Sequence, residues 1–100
     1  MPRWDYTIQA KDLLTHSQDD EENTKVALDS APIMVGRIKK LIEKLQKHAD
    51  DNYWIIDDLD RVVWAFEDVK DNNEGDPLET FNDALAQLYD VGDQHRIWVK

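Results

Sequence analysis

Apolar residues in this chain recur at two different periods, and the places where each period occurs limit the folds open to it. Period two is confined to the ends. In residues 3–10, Trp4, Tyr6 and Ile8 alternate with Asp5, Thr7 and Gln9. In residues 95–100, Ile97 and Val99 alternate with Arg96 and Trp98. Aromatic and β-branched residues at that spacing predict a strand at each end. Everything periodic between them is helical. Because an isolated strand is rarely stable in water, the economical solution pairs the two ends into one small ribbon beneath the helices. The alternative is pairing across a dimer. The expected fold is therefore α+β and mostly helical: three main helices with a β-ribbon from the N- and C-terminal strands, in one domain over residues 1–100.

The helices are read from their apolar faces. Ser30 is a fair N-cap with Pro32 in the first turn behind it. Met34, Ile38, Leu41, Leu45 and His48 then recur at steps of four and three, predicting a helix to about residue 48. Asp50-Asp51-Asn52 is expected to end that helix and cap the next. Ile55, Ile56, Leu59, Val62, Val63, Phe66 and Val69 share one broad face at ~100° per residue, which predicts a helix from about 52 to 71. Asp71-Asn72-Asn73-Glu74-Gly75 reads as a turn. Asp76-Pro77 matches an N-cap followed by Pro at the first helical position, and Glu79 completes the capping-box spacing. Leu78, Phe81, Leu85, Leu88 and Tyr89 form the core face of the last helix, with Gly92 expected to stop it in the left-handed conformation. Lys11 to Thr15 either extends the first strand or turns away from it. Residues 16–24 are polar, acidic and aperiodic and read as a loop, and Val26-Ala27-Leu28 as a short helical turn.

Charge narrows the function. The 100 residues hold 22 Asp and Glu against 12 Lys and Arg, a net charge of −10, yet four Trp are present, which a disordered acidic tail rarely carries. That balance argues against ordinary nucleic-acid binding and against docking on anionic lipid, and it suits a basic protein partner. The excess is unevenly distributed. Residues 31–48 hold one acid and five bases, whereas residues 49–95 hold 14 acids and two bases. Such halves can neutralise each other inside the fold or across a dimer.

On the 52–71 helix, Asp57, Asp60, Asp68 and Asp71 point away from the core direction, with Trp64 in the middle of the stripe. Glu79, Asp83 and Asp90 lie along one flank of the last helix and would extend the acidic face if the two helices are antiparallel neighbours. Two readings of the stripe stand side by side. It is a solvated face that keeps the protein soluble, or a partner surface with Trp64 as anchor. Trp64 itself reads either as that anchor or as a second core face packed on the ribbon.

Chemistry finds little support. There is no Cys, so no thiolate nucleophile, disulfide or Cys-based zinc site is available. Three Gly, at 36, 75 and 92, cannot build a phosphate-cradling loop. His16, His48 and His95 make no His-x-x-x-His pair, and His48 falls on the core edge of its helix as a structural residue. The run from Asp68 to Asp76 imitates a calcium loop, but with Gly75 as its sixth position the first falls on Lys70, which cannot ligate. Neither Ser17 nor Ser30 sits in a nucleophile elbow. Asp50-Asp51 and Asp57-Asp58 are expected as helix-start charges that favour the dipole. No enzyme, cofactor or metal site is expected. No apolar run approaches a membrane span, and Met1 to Asp5 has no signal-peptide core, so the cytoplasm is the expected location.

The segments Trp4-Asp5-Tyr6-Thr7-Ile8, Lys11-Asp12-Leu13-Leu14, Leu88-Tyr89-Asp90 and His95-Arg96-Ile97-Trp98-Val99 resemble the ends of small proteins encoded in phage and prophage genomes. That resemblance implies a bacterial host cell and a role in binding and blocking host machinery: CRISPR effectors, restriction enzymes or nucleases. The expected function is a non-enzymatic interaction module of DNA-mimic type. Its carboxylates at Asp57, Asp60, Asp68, Asp71, Glu79, Asp83 and Asp90 would stand in for phosphates on a basic partner. An immunity protein or antitoxin against a cognate toxin, and a homodimeric assembly protein, are the alternatives.

Overall fold

The computed structural model describes residues 6–13, 19–47, 49–71 and 76–100. Strand β1 (Tyr6–Ile8) leads through a 3-10 turn (Lys11–Leu13) to helices α1 (Asp20–Gln46), α2 (Ala49–Asp71) and α3 (Pro77–His95), and strand β2 (Ile97–Val99) closes the chain. The expected α+β, mostly helical architecture is therefore what the chain adopts, with the ribbon formed within one chain. Its strands run parallel, pairing Tyr6 with Ile97, Thr7 with Trp98 and Ile8 with Val99. A parallel pair needs a long crossover, and here all three helices supply it. The predicted alternation holds: Ile8, Ile97 and Val99 are buried while Thr7 and Trp98 face outward. Beyond the strands the pairing is prolonged. The Lys100 N–H donates to the Ile8 carbonyl at 2.9 Å, and the Lys100 carbonyl accepts from the Ala10 and Lys11 N–H groups, both at 2.7 Å.

The first helix differs from expectation. It begins at Asp20, so residues 20–24 are helical rather than loop, and Val26-Ala27-Leu28 is no separate turn. Asp19 is the cap, its carboxylate accepting from the Glu21 N–H at 2.9 Å. Ser30 is a buried residue in mid-helix, and Pro32 lies inside the helix rather than in its first turn. An interior Pro costs about 3 kcal/mol. Here Ala27 and Ala31 before it and Met34 and Ile38 after it are buried in one core, so packing on both sides keeps the helix continuous through Pro32.

At the other end α1 stops at Gln46, and α2 starts at Ala49, so residues 50–52 belong to α2. The Asn52 side-chain amide donates back to the Leu45 carbonyl at 3.4 Å. The expected strand residues Trp4 and Asp5, the histidines His16 and His48, and residues 72–75 of the expected turn and calcium-like loop lie outside the described residues.

The core joins Met34, Ile38 and Leu45 of α1, Leu59, Val62 and Phe66 of α2, and Phe81 and Leu88 of α3. Phe66 and Phe81 meet edge to face with centroids 5.5 Å apart, a geometry the ring quadrupoles favour. Tyr89, expected in the core, is more than a third exposed, and Ala84 and Val91 are buried instead. The start of α3 has the expected cap, the Asp76 carboxylate accepting from the Leu78 N–H at 3.1 Å with Pro77 in the first turn, but this bond goes to Leu78 rather than Glu79, so the capping box expected with Glu79 is not formed.

Its end is not. Gly92 stays helical and buried, and the left-handed cap is Arg96, at φ 57° and ψ 45°. His95, expected in the strand, is the last helical residue. The reason lies in the approach of β2. A Cβ on Gly92 would stand 2.6 Å from the Ile97 carbonyl oxygen and 3.2 Å from Val99 Cγ2. Gly92 is used for close packing, and the reversal falls to the next available residue despite a left-handed strain of about 1 kcal/mol.

One ion pair ties the ribbon corner to α1. The Arg37 guanidinium donates to both Asp12 carboxylate oxygens, at 2.8 and 2.9 Å, and to the Gln9 carbonyl at 3.0 Å. The Arg37 hydrogen bonds hold the Asp12 carboxyl below its usual range, and Asp12 in turn raises Arg37.

Two predictions follow from this architecture. In urea denaturation, Gly92→Ala should destabilise by about 1–3 kcal/mol because β2 must shift. Gly36→Ala, with nothing within 4 Å of its Cβ, should instead gain up to about 1 kcal/mol. Stabilisation at both sites would refute the close approach. For Asp12, a folded pKa below the unfolded one means the folded state binds fewer protons, so its contribution is present above about pH 4 and is lost as pH falls through the folded value. Asp12→Asn should therefore differ from the parent most at neutral pH, the two curves converging as pH falls below the folded value. A gap independent of pH contradicts the pairing.

Candidate protein-interaction face

Helix α2 is held by one apolar side, and none of the described residues packs over the other. Leu59, Val62, Val63, Phe66 and Val69 are buried. At ~100° per residue, Tyr53, Asp57, Asp60, Trp64 and Asp68 fall on the opposite side. Asp57, Asp68 and Asp71 are exposed and Asp60 is half-buried. Trp64 is 64% exposed, which corrects the reading of it as a second core face packed on the ribbon. The core is closed without it, by β2 lying on α3.

The condition set for the last helix is met. Asp58, early in α2, bonds His95 at the end of α3, while Phe66 and Phe81 meet nearer the connection, so the helices are antiparallel. Glu79, Asp83 and Asp90 are all exposed on α3. Asp90 reaches the α2–α3 groove, an open depression of about 180 Å³ that it lines together with Asp58 and Arg61. Glu79 and Asp83 sit on α3's flank outside that groove.

Three details were not anticipated. Arg61 interrupts the acidic stripe, pairing with Asp57 at 3.3 Å and Asp58 at 4.0 Å. Asp57 and Asp58 are not helix-start charges, since α2 begins at Ala49. Asp58 instead accepts from His95 Nε2 at 2.7 Å, and this half-buried contact fastens the end of α3 to α2. The face is also more aromatic than expected. Tyr53 and Trp54 are 52% and 65% exposed, with ring centroids 4.5 Å apart at 34°. The same periodicity that singled out Trp64 puts Tyr53 in line with it, so the signal for Tyr53 was present in the sequence.

The opposing charge is not spent on this face. Among the described side chains, no ion pair joins the lysines of α1 to the carboxylates of α2 or α3. The described residues contain no group of three side chains suited to a metal ion. No helix among them is long and apolar enough to cross a membrane. Comparison with known protein families, with curated proteins and with solved structures returned no match. Fold and site together define the class: a small α+β three-helix protein that leaves an acidic helix face, studded with aromatic rings, open to solvent.

Proposed function

We propose that this chain is a non-enzymatic interaction module whose α2 face docks on a basic, nucleic-acid-binding surface of a protein partner. The observation that carries the reading is Trp64, a large ring 64% exposed between the carboxylates of Asp60 and Asp68. An exposed Trp within a charged rim is a favoured interface anchor, because burying it against a partner releases apolar area while the rim steers approach. Asp57, Asp60, Asp68 and Asp71 act as phosphate surrogates along α2, with Asp90, Asp83 and Glu79 extending the surface on α3. The mechanism is competition for cations that otherwise hold a nucleic-acid backbone. In this reading the protein is an inhibitor of DNA-mimic type, phage-encoded and acting in the bacterial cytoplasm. CRISPR effectors and restriction enzymes are among the machinery it would block, and a cognate basic toxin offers the same chemistry.

The test is capture of a bacterial nucleic-acid-binding protein by the immobilised chain, followed by elution with duplex DNA. Asp60→Lys/Asp68→Lys should weaken capture by about a hundredfold and flatten its salt dependence. Trp64→Ala should weaken capture by about tenfold or more with the salt dependence kept. Capture that survives the double reversal at low salt, or that DNA does not displace, contradicts the proposal.

A further inference from the structure

In a chain of net charge −10, three cations gather around one hollow on elements that share no residue with the acidic face. Thr7 and Gln9 of the β1 segment, Arg37 and Lys40 of α1, and Lys100 after β2 line an open depression of about 360 Å³. That volume is at the lower end of small-molecule sites. Like charges do not converge without a counter-charge at no cost, and the described carboxylates supply little of it here. Asp12 is held by the two-pronged bond to Arg37, so the pair is close to neutral, and the fork together with the Gln9 carbonyl fixes the guanidinium as one wall. Lys40 and Lys100 have no carboxylate partner among the described residues. The Lys100 ammonium is instead placed over the Trp98 ring, 4.8 Å from its centroid, a cation–π contact on the outward face of the ribbon. Two lysine ammonium groups without a side-chain carboxylate partner, a hydroxyl and a side-chain amide thus border one solvent-open space.

We propose that this hollow is an oxyanion site that takes a phosphate group. Charge decides between oxyanions. A carboxylate brings one negative charge, whereas a phosphate monoester brings close to two at neutral pH and offers several acceptor oxygens. That matches Lys40 and Lys100 as charged donors, with Thr7 and Gln9 as neutral ones. The phosphate can come from a free phosphorylated small molecule or from a nucleic-acid backbone, and Trp98 beside the site, 48% exposed, is the ring either would approach.

The site carries its own reporter, since an anion that draws Lys100 off the ring changes the surroundings of the Trp98 indole. Its indole N–H resonance, assigned with Trp98→Phe, is followed during titration with inorganic pyrophosphate and, separately, with an oligothymidylate of about eight nucleotides, at ionic strength held constant with NaCl. Lys40→Ala should weaken the saturating response by about tenfold or more. Lys39→Ala removes the same charge from an exposed neighbouring position that does not line the hollow, and should leave the response unchanged. Saturation by pyrophosphate supports a phosphorylated small molecule, and saturation by the oligothymidylate alone supports a backbone phosphate. A non-saturating response to both, or an equal loss in Lys39→Ala and Lys40→Ala, overturns the proposal. Neither failure touches the acidic face, whose test uses Asp60 and Asp68.

Discussion

The close seating of β2 on the last turn of α3 is the constraint on which the rest of the molecule depends. It is possible only because residue 92 has no Cβ to meet the Ile97 carbonyl. From that contact the chain end reaches β1, and the Lys100 backbone completes the pairing with Ile8, Ala10 and Lys11. The ribbon then closes the core on the side of α1 and α3. Among the described residues nothing covers the outward side of α2, where Tyr53, Trp54 and Trp64 are exposed. The molecule measures 17 Å along its shortest axis, no more than two packed layers, so an uncovered helix is a large part of its surface.

The electrostatics follow from the same geometry. Opposite charges in one small chain would be expected to pair, yet among the described residues the ion pair across elements is Arg37 with Asp12, and the other charged group engaged across elements is Asp58, hydrogen-bonded to His95. Both serve the architecture, one fastening the ribbon corner to α1 and the other fastening α3 to α2. The remaining lysines of α1 and carboxylates of α2 and α3 stay apart. Exposed pairs are individually worth at most about 1 kcal/mol, so their separation costs the fold little. What it leaves is a protein with negative charge along α2 and α3 and positive charge along the C-terminal half of α1, from Arg37 to Lys44, and at the ribbon edge at Lys100. Each surface carries exposed aromatic rings, Trp64 with Tyr53 and Trp54 on one and Trp98 on the other.

How legible this was depended on whether a residue's role was local. Asp76-Pro77 was read correctly because a cap and its N–H partner lie two residues apart. The faces of α1 and α2 were read correctly because period and burial agree. Ser30-Pro32 misled because the same residues that open a helix can be carried inside one when the core packs on both sides of them. Gly92 misled in a similar way. Its position near a helix end suggested a left-handed stop, whereas its role is set by a strand five residues later folding back over it. Asp58 looked like a helix-start charge, and its true partner, His95, is 37 residues away. The aromatic stripe was visible in the sequence. Whether Trp64 met protein or water was not, because that depends on how few elements the chain has to cover α2.

Trp64 stands in solvent inside a field of negative charge. A chain carrying Trp64 alone, with Trp4, Trp54 and Trp98 replaced by Phe and folding confirmed by circular dichroism, reports on this through collisional quenching. A cation gathers near the carboxylates and an anion is repelled from them. Caesium should therefore quench Trp64 fluorescence much more strongly than iodide at equal ionic strength, the difference shrinking as salt rises. Equal quenching by the two ions would mean that no negative field surrounds Trp64, and quenching by neither would mean that the ring is buried.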